Sequence, residues 1–385
     1  MSSARRLALG RLISLMGGSA AYIALIAGLY ERTDSAAWVS AALFAGVVGS
    51  VLGAPAAGYL GDRFDRQRVM IVTDLASAAV AGTMAIFIDE PAAAVALFGS
   101  LAVVTSPFAP ASAAAMPNVV GEDQVARANA LVATTESAGY LLGPLAGGLL
   151  LGVGVSAPTL WALDAATFVV SALFVASIRR PFGSGRGTES HPGVLAGVRL
   201  IRNEPVLRLL VAASMVSLLG FGIVNVAAYP LSIRLDGGTE GYGAMEALLG
   251  GGGLAGAALA GRLLTTQRAP AIVVSSFAVS GVGLAVAGVA PVLIVALVAL
   301  AFAGAGRGLG DVAETTLIQV RTEDAVRSRV FAAQDGAAHV AFSAAMVVGG
   351  VLVGASGARL AFGTAAVSGL LAALIASRLR RHQIT

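Results

Sequence analysis

The sequence predicts an all-α membrane protein, with twelve transmembrane helices in two pseudo-symmetric six-helix bundles. Three observations predict it. Hydrophobic residues make up 57% of the 385 residues and charged residues only 12%, about half the ~25% of a soluble chain. Apolar runs of membrane-spanning length recur along the whole chain. The second half also repeats features of the first.

Composition excludes several chemistries. There are no cysteines, so disulfides, thiolate metal sites and cysteine nucleophiles are ruled out. All 25 basic residues are arginine. Without lysine the chain carries no Walker A ATP site and no Schiff-base cofactor. His191, His339 and His382 are scattered, and no HExxH or GxSxG pattern occurs. No metal site and no cofactor are expected. These absences weigh against a membrane-embedded enzyme.

The apolar runs fall at about 9–30, 36–60, 69–88, 92–115, 127–151, 157–178, 206–232, 242–264, 269–289, 291–315, 330–354 and 358–377. Each has room for a span of ~20 residues. The run after Arg5 and Arg6 continues well beyond a signal peptide's ~7–15 apolar residues and reads as a retained first span. With both termini cytoplasmic, only Arg32, Arg234, Arg359 and Arg307 fall outside the cytoplasmic segments and their edges. That is the positive-inside pattern. It explains the net charge of +4 without nucleic acid, and it implies a multi-pass protein of the inner (plasma) membrane.

The longest polar stretch, Arg179 to Pro205, divides the chain. An N-terminal six-helix bundle is expected over 1–178, a cytoplasmic linker with a surface helix near Val194–Asn203 over 179–205, and a C-terminal bundle over 206–385. Features recur at an offset of about 200. Glu122-Asp123 answers to Glu323-Asp324, Gly147-Gly148 to Gly349-Gly350, and Ser177-Ile178-Arg179-Arg180 to the run from Ser377 to Arg381. Duplication is the simple reading. Glycine concentrates in spans 2, 5, 8 and 11, equivalent places in the two halves, which suggests the surface where the halves meet and slide.

Two motifs carry a resemblance. Between spans 2 and 3 the chain reads Gly58-Tyr59-Leu60-Gly61-Asp62-Arg63-Phe64-Asp65-Arg66, and span 5 carries Gly139, Gly143, Pro144, Gly147 and Gly148 as G-x3-G-P-x2-G-G. The first resembles the signature loop of the major facilitator superfamily, with Asp65 in place of the usual glycine. The second resembles the span-5 motif of that superfamily's exporters. Arg11 to Gly17, the stretch from Ser106 to Asn129, and Arg327-Ser328-Arg329 are similar to its enterobactin-exporter and macrolide-efflux branch. The resemblance implies the major facilitator fold. It also implies a cytoplasmic latch at Asp62, Arg63 and Arg66, and a span-5 face that helps seal the exporter against proton leak. As plain chemistry, the loop is a basic topology signal, and the glycines and Pro144 let span 5 bend and pack closely.

Ionisable residues inside spans are costly and are seldom lipid-facing. Glu136 lies near the middle of span 5. In span 10, Arg307, Asp311 and Glu314 follow at i, i+4 and i+7 and share one face. Arg307 and Asp311 can pair, leaving Glu314 freer to titrate. Asp335 and His339 stand at i, i+4 in span 11. These are candidates for proton coupling or a cationic substrate, with structural pairing as the alternative. Arg11 and Asp74 lie near the cytoplasmic ends of spans 1 and 3 and can pair with each other. Asp164 recurs in the resembling family and reads as structural; Trp38 and Trp161 read as interfacial anchors.

Together these readings describe a monomeric secondary transporter. Its partners are a small-molecule substrate, protons and the lipid bilayer. By resemblance it is a proton-coupled exporter of a drug, siderophore or metabolite working by alternating access. Uptake or lipid flipping on the same fold, and a non-transporting receptor, are the alternatives.

Overall fold

Long helices form almost the whole chain, each built on an apolar run and ended by proline, a polar cap or a short turn. The computed structural model describes residues 3–120, 125–179, 182, 194–265, 267–322 and 324–379. The sequence-predicted repeat residues Glu122, Asp123, Arg180, Glu323 and Arg381 lie outside the described residues, as do Arg186 and Arg380. So do the side chains of Asp324, Arg327 and Arg329.

The helices are α1 (Ser3–Thr33), α2 (Ala36–Arg63), α3 (Arg66–Phe87), α4 (Pro91–Thr105), α5 (Phe108–Val120), α6 (Val125–Gly152) and α7 (Ala157–Ala176). They continue as α8 (Val194–Asn203), α9 (Pro205–Arg234), α10 (Gly238–Leu263), α11 (Ala269–Val289), α12 (Leu293–Arg321) and α13 (Asp324–Ser377). Span 4 comprises both α4 and α5, because Pro107 offers no N–H to continue the first helix. Ser156 caps α7, and the Glu204 carboxylate caps α9 by accepting from the Leu207 N–H. Asp65 is the N-cap of α3, its side chain accepting from the Arg68 N–H at 3.1 Å. That accounts for the carboxylate where the superfamily pattern has glycine.

Among the described residues, ten helices are long and apolar enough to cross a membrane. This count leaves out α6 and takes Ala333–Ser377, 45 residues, as one. Such a helix would run roughly 68 Å, more than twice the ~30 Å hydrocarbon thickness. It breaks at Gly357, whose φ of 79° and ψ of 167° lie outside helical space and require glycine. Splitting there and adding the 28 residues of α6 accommodates the twelve expected spans.

The chain divides into two units. One is Met1–Glu189 with Gly238–Ala247; the other is Ser190–Gly237 with Leu248–Thr385. In the first unit α1 packs on α6 and α7, α3 on α7, and α2 on α4. The open carbonyls at the end of α7, and one in the segment after it, are met by side chains from three other helices. Arg6 donates to Ser177 O at 2.6 Å, Gln67 to Val175 O and Ile178 O at 2.9 Å, and Asn118 to Phe182 O at 3.1 Å. In the second unit α9 and α11 pack on α13, and α11 packs on α12. Leu200 and Ile201 of α8 seat against a buried cluster that includes Leu207, Val273, Leu317 and Leu379.

Many glycines expected at a meeting surface between halves serve packing inside a unit. Gly49 and Gly53 of α2 face α4 and the residues just after it, and Gly139, Gly143 and Gly147 of α6 face α1. Gly252 and Gly256 of α10 lie directly on the carbonyls of Ala301 and Ala305 in α12, while Gly304 and Gly308 return the contact. A Cβ on Gly256 would collide with the Ala305 oxygen, whereas one on Gly250 would meet nothing within 4 Å. Gly256→Val is therefore expected to destabilise the protein by about 1–3 kcal/mol or more. It should visibly lower the melting temperature in detergent, and Gly250→Ala should leave that temperature unchanged or slightly higher.

Candidate functional site

In the second unit the apolar pattern breaks along two facing helix stripes. On α12 the stripe is Arg307, Asp311 and Glu314. On α9, Ser214, Ser217 and Phe221 follow at i, i+3 and i+7, again one face. These stripes, with Phe277 of α11 and Phe331, Gln334 and Asp335 of α13, line a cavity of about 510 Å³. The adjoining side of α12 is held by its glycines, which also border the cavity. A Cβ on Gly306 would lie 2.7 Å from Ser276 O, and one on Gly310 3.1 Å from Ser276 Cβ. Glycine there lets α12 press onto α11, and the charged stripe beside it borders the cavity.

Arg307 has two partners in this site. Its Nε stands 3.8 Å from Asp311 Oδ2, and its guanidinium lies 4.6 Å over the Phe221 ring. The Asp311 side chain keeps 65% of its surface exposed. Glu314, one turn deeper, is only 6% exposed, and its Oε1 makes no hydrogen bond. Asp335 completes a set of three carboxylates against one guanidinium. The volume falls in the ~300–1,000 Å³ range of drug-sized sites, and the chemistry suits a cation with an apolar body.

Some sequence-predicted site residues lie elsewhere. His339 is exposed and turns back on its own helix, with Nδ1 2.8 Å from the backbone oxygen of Asp335. It therefore makes no pair with the Asp335 carboxylate. Glu136 belongs to the first unit, where its Oε1 accepts from Arg11 Nε at 3.1 Å. This corrects the expected pairing of Arg11 with Asp74. The α1–α6 packing brings Arg11 to Glu136, and the guanidinium rests 5.3 Å over Phe108. Sequence reasoning missed Phe221, Phe277, Phe331 and Gln334. The Ser214–Ser217–Phe221 stripe was a readable signal for the first of these.

The two motifs show local roles. In the loop, Arg63 donates to Tyr59 Oη at 2.7 Å and Arg66 to Ala114 O at 2.8 Å. Gly58 and the Asp62 side chain lie outside the described residues. In α6, a Cβ on Gly143 would lie 2.5 Å from Ser19 Cβ, and one on Gly147 2.7 Å from Ala20 O. Gly148 and Pro144 turn to the start of α10 within the same unit. A Cβ on Gly243 would lie 2.5 Å from Pro144 O, and one on Gly148 3.1 Å from Gly243 Cα.

The sequence model described as Major Facilitator Superfamily matches residues 7–331. The chain belongs to the major facilitator superfamily. It is 25% identical over 334 residues to Macrolide efflux protein A of Streptococcus pyogenes, covering 84% of this chain and 82% of that protein. It is 26% identical over 384 residues to Multidrug efflux pump Tap of Mycobacterium tuberculosis, covering 96% and 91%. It is also 26% identical over 288 residues to Enterobactin exporter EntS of Citrobacter koseri, covering 70% and 66%. These relatives meet the expected kinship with the macrolide-efflux and enterobactin-exporter branch. The crystal structure of nucleoside transporter NupG superposes with a TM-score of 0.79 at 13% identity, covering 99% of this chain and 100% of that one. That likeness shows the fold alone. As a superfamily member the chain is a multi-pass membrane transporter of a small molecule, not an enzyme.

The Arg11–Glu136 contact gives a direct test of what holds α1 to α6. Arg11→Gln and Glu136→Gln should each lower the melting temperature in detergent. The double variant should lose less than the two singles together, with a coupling on the order of 1 kcal/mol.

Proposed function

We propose that this transporter exports a small amphipathic cation in exchange for protons, with the second unit's cavity as its binding site. The supporting observation is the cavity's composition: Asp311, Glu314 and Asp335 against Arg307, walled by Phe221, Phe277 and Phe331. The relatives named for macrolide, multidrug and enterobactin efflux support the outward direction. The arginine distribution supports an inner-membrane position with both termini cytoplasmic. In this reading the chain works as a monomer, and bundles 1–178 and 206–385, joined by 179–205, expose the cavity alternately to the two sides.

Glu314 is the carboxyl that exchanges its proton for the cation. It is the buried member of the stripe, and its Oε1 is not committed to another group. Arg307 holds Asp311, so that carboxylate tunes the field while Glu314 changes state. The driving force suffices. A proton crossing ~100 mV releases about 2.3 kcal/mol, and a pH step of one unit adds about 1.4 kcal/mol. For a singly charged cation exchanged one for one with a proton the voltage terms cancel, so the pH step alone sustains about a tenfold gradient.

Everted membrane vesicles carrying the chain are expected to accumulate a fluorescent lipophilic cation when their interior is made acidic. The initial rate should fall about tenfold or more in Glu314→Gln, a loss of ~1.4 kcal/mol or more. Accumulation only with the gradient reversed would mean uptake. A rate indifferent to the gradient would end the proton-coupled reading.

A further inference from the structure

The first unit contains buried polar chemistry that the cavity does not use. Asp164 on α7 is 0% exposed and Asp74 on α3 is 3% exposed. The Oδ2 atom of each makes no hydrogen bond. Ser171, seven residues after Asp164 and on the same face of α7, is 1% exposed and its hydroxyl is likewise unsatisfied. Ser171 lies beside the Asp74 carboxyl without closing a hydrogen bond of normal geometry. Thr167 stands between, its hydroxyl 2.7 Å from Asp164 O and 3.3 Å from Asp164 Oδ1. One turn before Asp164, Trp161 is buried with an unsatisfied Nε1.

Groups of this kind in a native protein call for a role, because buried polar atoms are almost always paired. Here three of them, on Trp161, Asp164 and Ser171, fall along one face of α7 over roughly 15 Å, and the fourth, on Asp74, comes from α3. The walls are closed. On α1, a Cβ on Gly17 would lie 2.9 Å from Asp164 Oδ1, and one on Gly10 3.4 Å from Ser171 Oγ. From α3 come hydroxyls besides Asp74: Thr73, and Ser77, which donates to Thr73 O at 2.8 Å. Among the described residues, the cation whose field reaches Asp74 is Arg11 of α1, already bound to Glu136 of α6. Helices α4 and α5, also packed on α3, carry no charged residue.

We infer that the first unit holds a proton-binding site of its own: the Asp164 carboxyl with the Thr167 hydroxyl beside it and the Asp74 carboxyl with the Ser171 hydroxyl beside it, with no residue shared with the second unit's cavity. A carboxyl oxygen that no donor reaches is completed by a proton, and the resulting O–H needs an acceptor. For Asp74 that acceptor is the Ser171 hydroxyl beside it. Transfer balances simply. Each hydroxyl accepts one proton and passes on its own, with bound water spanning the gap between Thr167 and Ser171. The hydroxyls end as they began, while one carboxyl loses the proton and the other gains it. This site goes beyond the exchange assigned to Glu314 and does not depend on it.

Infrared spectra of the purified chain, recorded across neutral pH without substrate or gradient, read protonated carboxyls through their C=O stretch. The starting protein is the Glu246→Gln/Glu314→Gln double variant, which removes the partly buried acid in the middle of α10 and the buried acid of α12. A pH-dependent acid band is expected to remain in it. Asp74→Asn and Asp164→Asn should each remove part of that band, and the two together all of it. Loss of the band from the starting variant, or its survival when both aspartates are gone, would overturn the assignment. If the aspartate variants do not fold, presence or absence of the band in the starting variant decides. Failure here leaves proton-driven export standing, and failure of export in vesicles leaves this band untouched.

Discussion

An ionised side chain placed in hydrocarbon must find a partner or cost several kcal/mol, and that constraint organises both units. Each contains an arginine within a spanning helix, and each gives it a carboxylate and an aromatic ring. Arg11 reaches Glu136 at 3.1 Å and lies 5.3 Å over Phe108. Arg307 stands 3.8 Å from Asp311 and 4.6 Å over Phe221. The helices involved correspond under the duplication, but the roles are exchanged. In the first unit the arginine is on span 1 and the ring on span 4; in the second the ring is on span 7 and the arginine on span 10. What the two units share is therefore a solution to a physical problem, preserved while the residues at each place changed.

Close backbone approach is the second constraint, and it serves the first. Lipid tails provide no hydrophobic drive for helix association, so packing rests on dispersion and shape. Gly139, Gly143 and Gly147 let α6 lie against α1, which brings Glu136 within reach of Arg11. Gly306 and Gly310 let α12 lie against α11, and Arg307, Asp311 and Glu314 beside them border the cavity. Small residues along a helix thus decide where its charges stand.

The fold was legible because its signals are local or periodic. Span length, arginine placement and the Arg307–Asp311–Glu314 spacing need no knowledge of neighbouring helices. The site was only partly legible, because partners from other helices carry no mark in sequence. Glu136 could be recognised as an intramembrane acid, but nothing near it in the chain says that Arg11, 125 positions away, will meet it instead of Asp74. His339 shows the opposite case: its i, i+4 spacing to Asp335 was real, yet the ring found the nearer backbone oxygen of its own helix. Asp65 looked like a departure from a motif, but it is a helix cap. Phe221 entered the site through the cross-helix contact with Arg307, which composition cannot reveal.

A proton site separate from the cavity would alter how coupling is carried. If proton and substrate contend for one carboxyl, only a cationic substrate displaces the proton directly. With a second site among α1, α3 and α7, the proton acts through helix position instead, whatever the charge of the cargo. Helix α1 is the natural carrier. Gly17 lies on Asp164, Arg11 binds Glu136, and the glycine face of α6 packs along the same helix. These contacts are too close to absorb a change in the Asp164 carboxyl by local adjustment alone, since a packed interface shifts between discrete arrangements and does not deform continuously. A change of charge on one buried aspartate would then be felt along α1 and α6 together. That is the physical content coupling needs: an element with two arrangements that the bound proton biases.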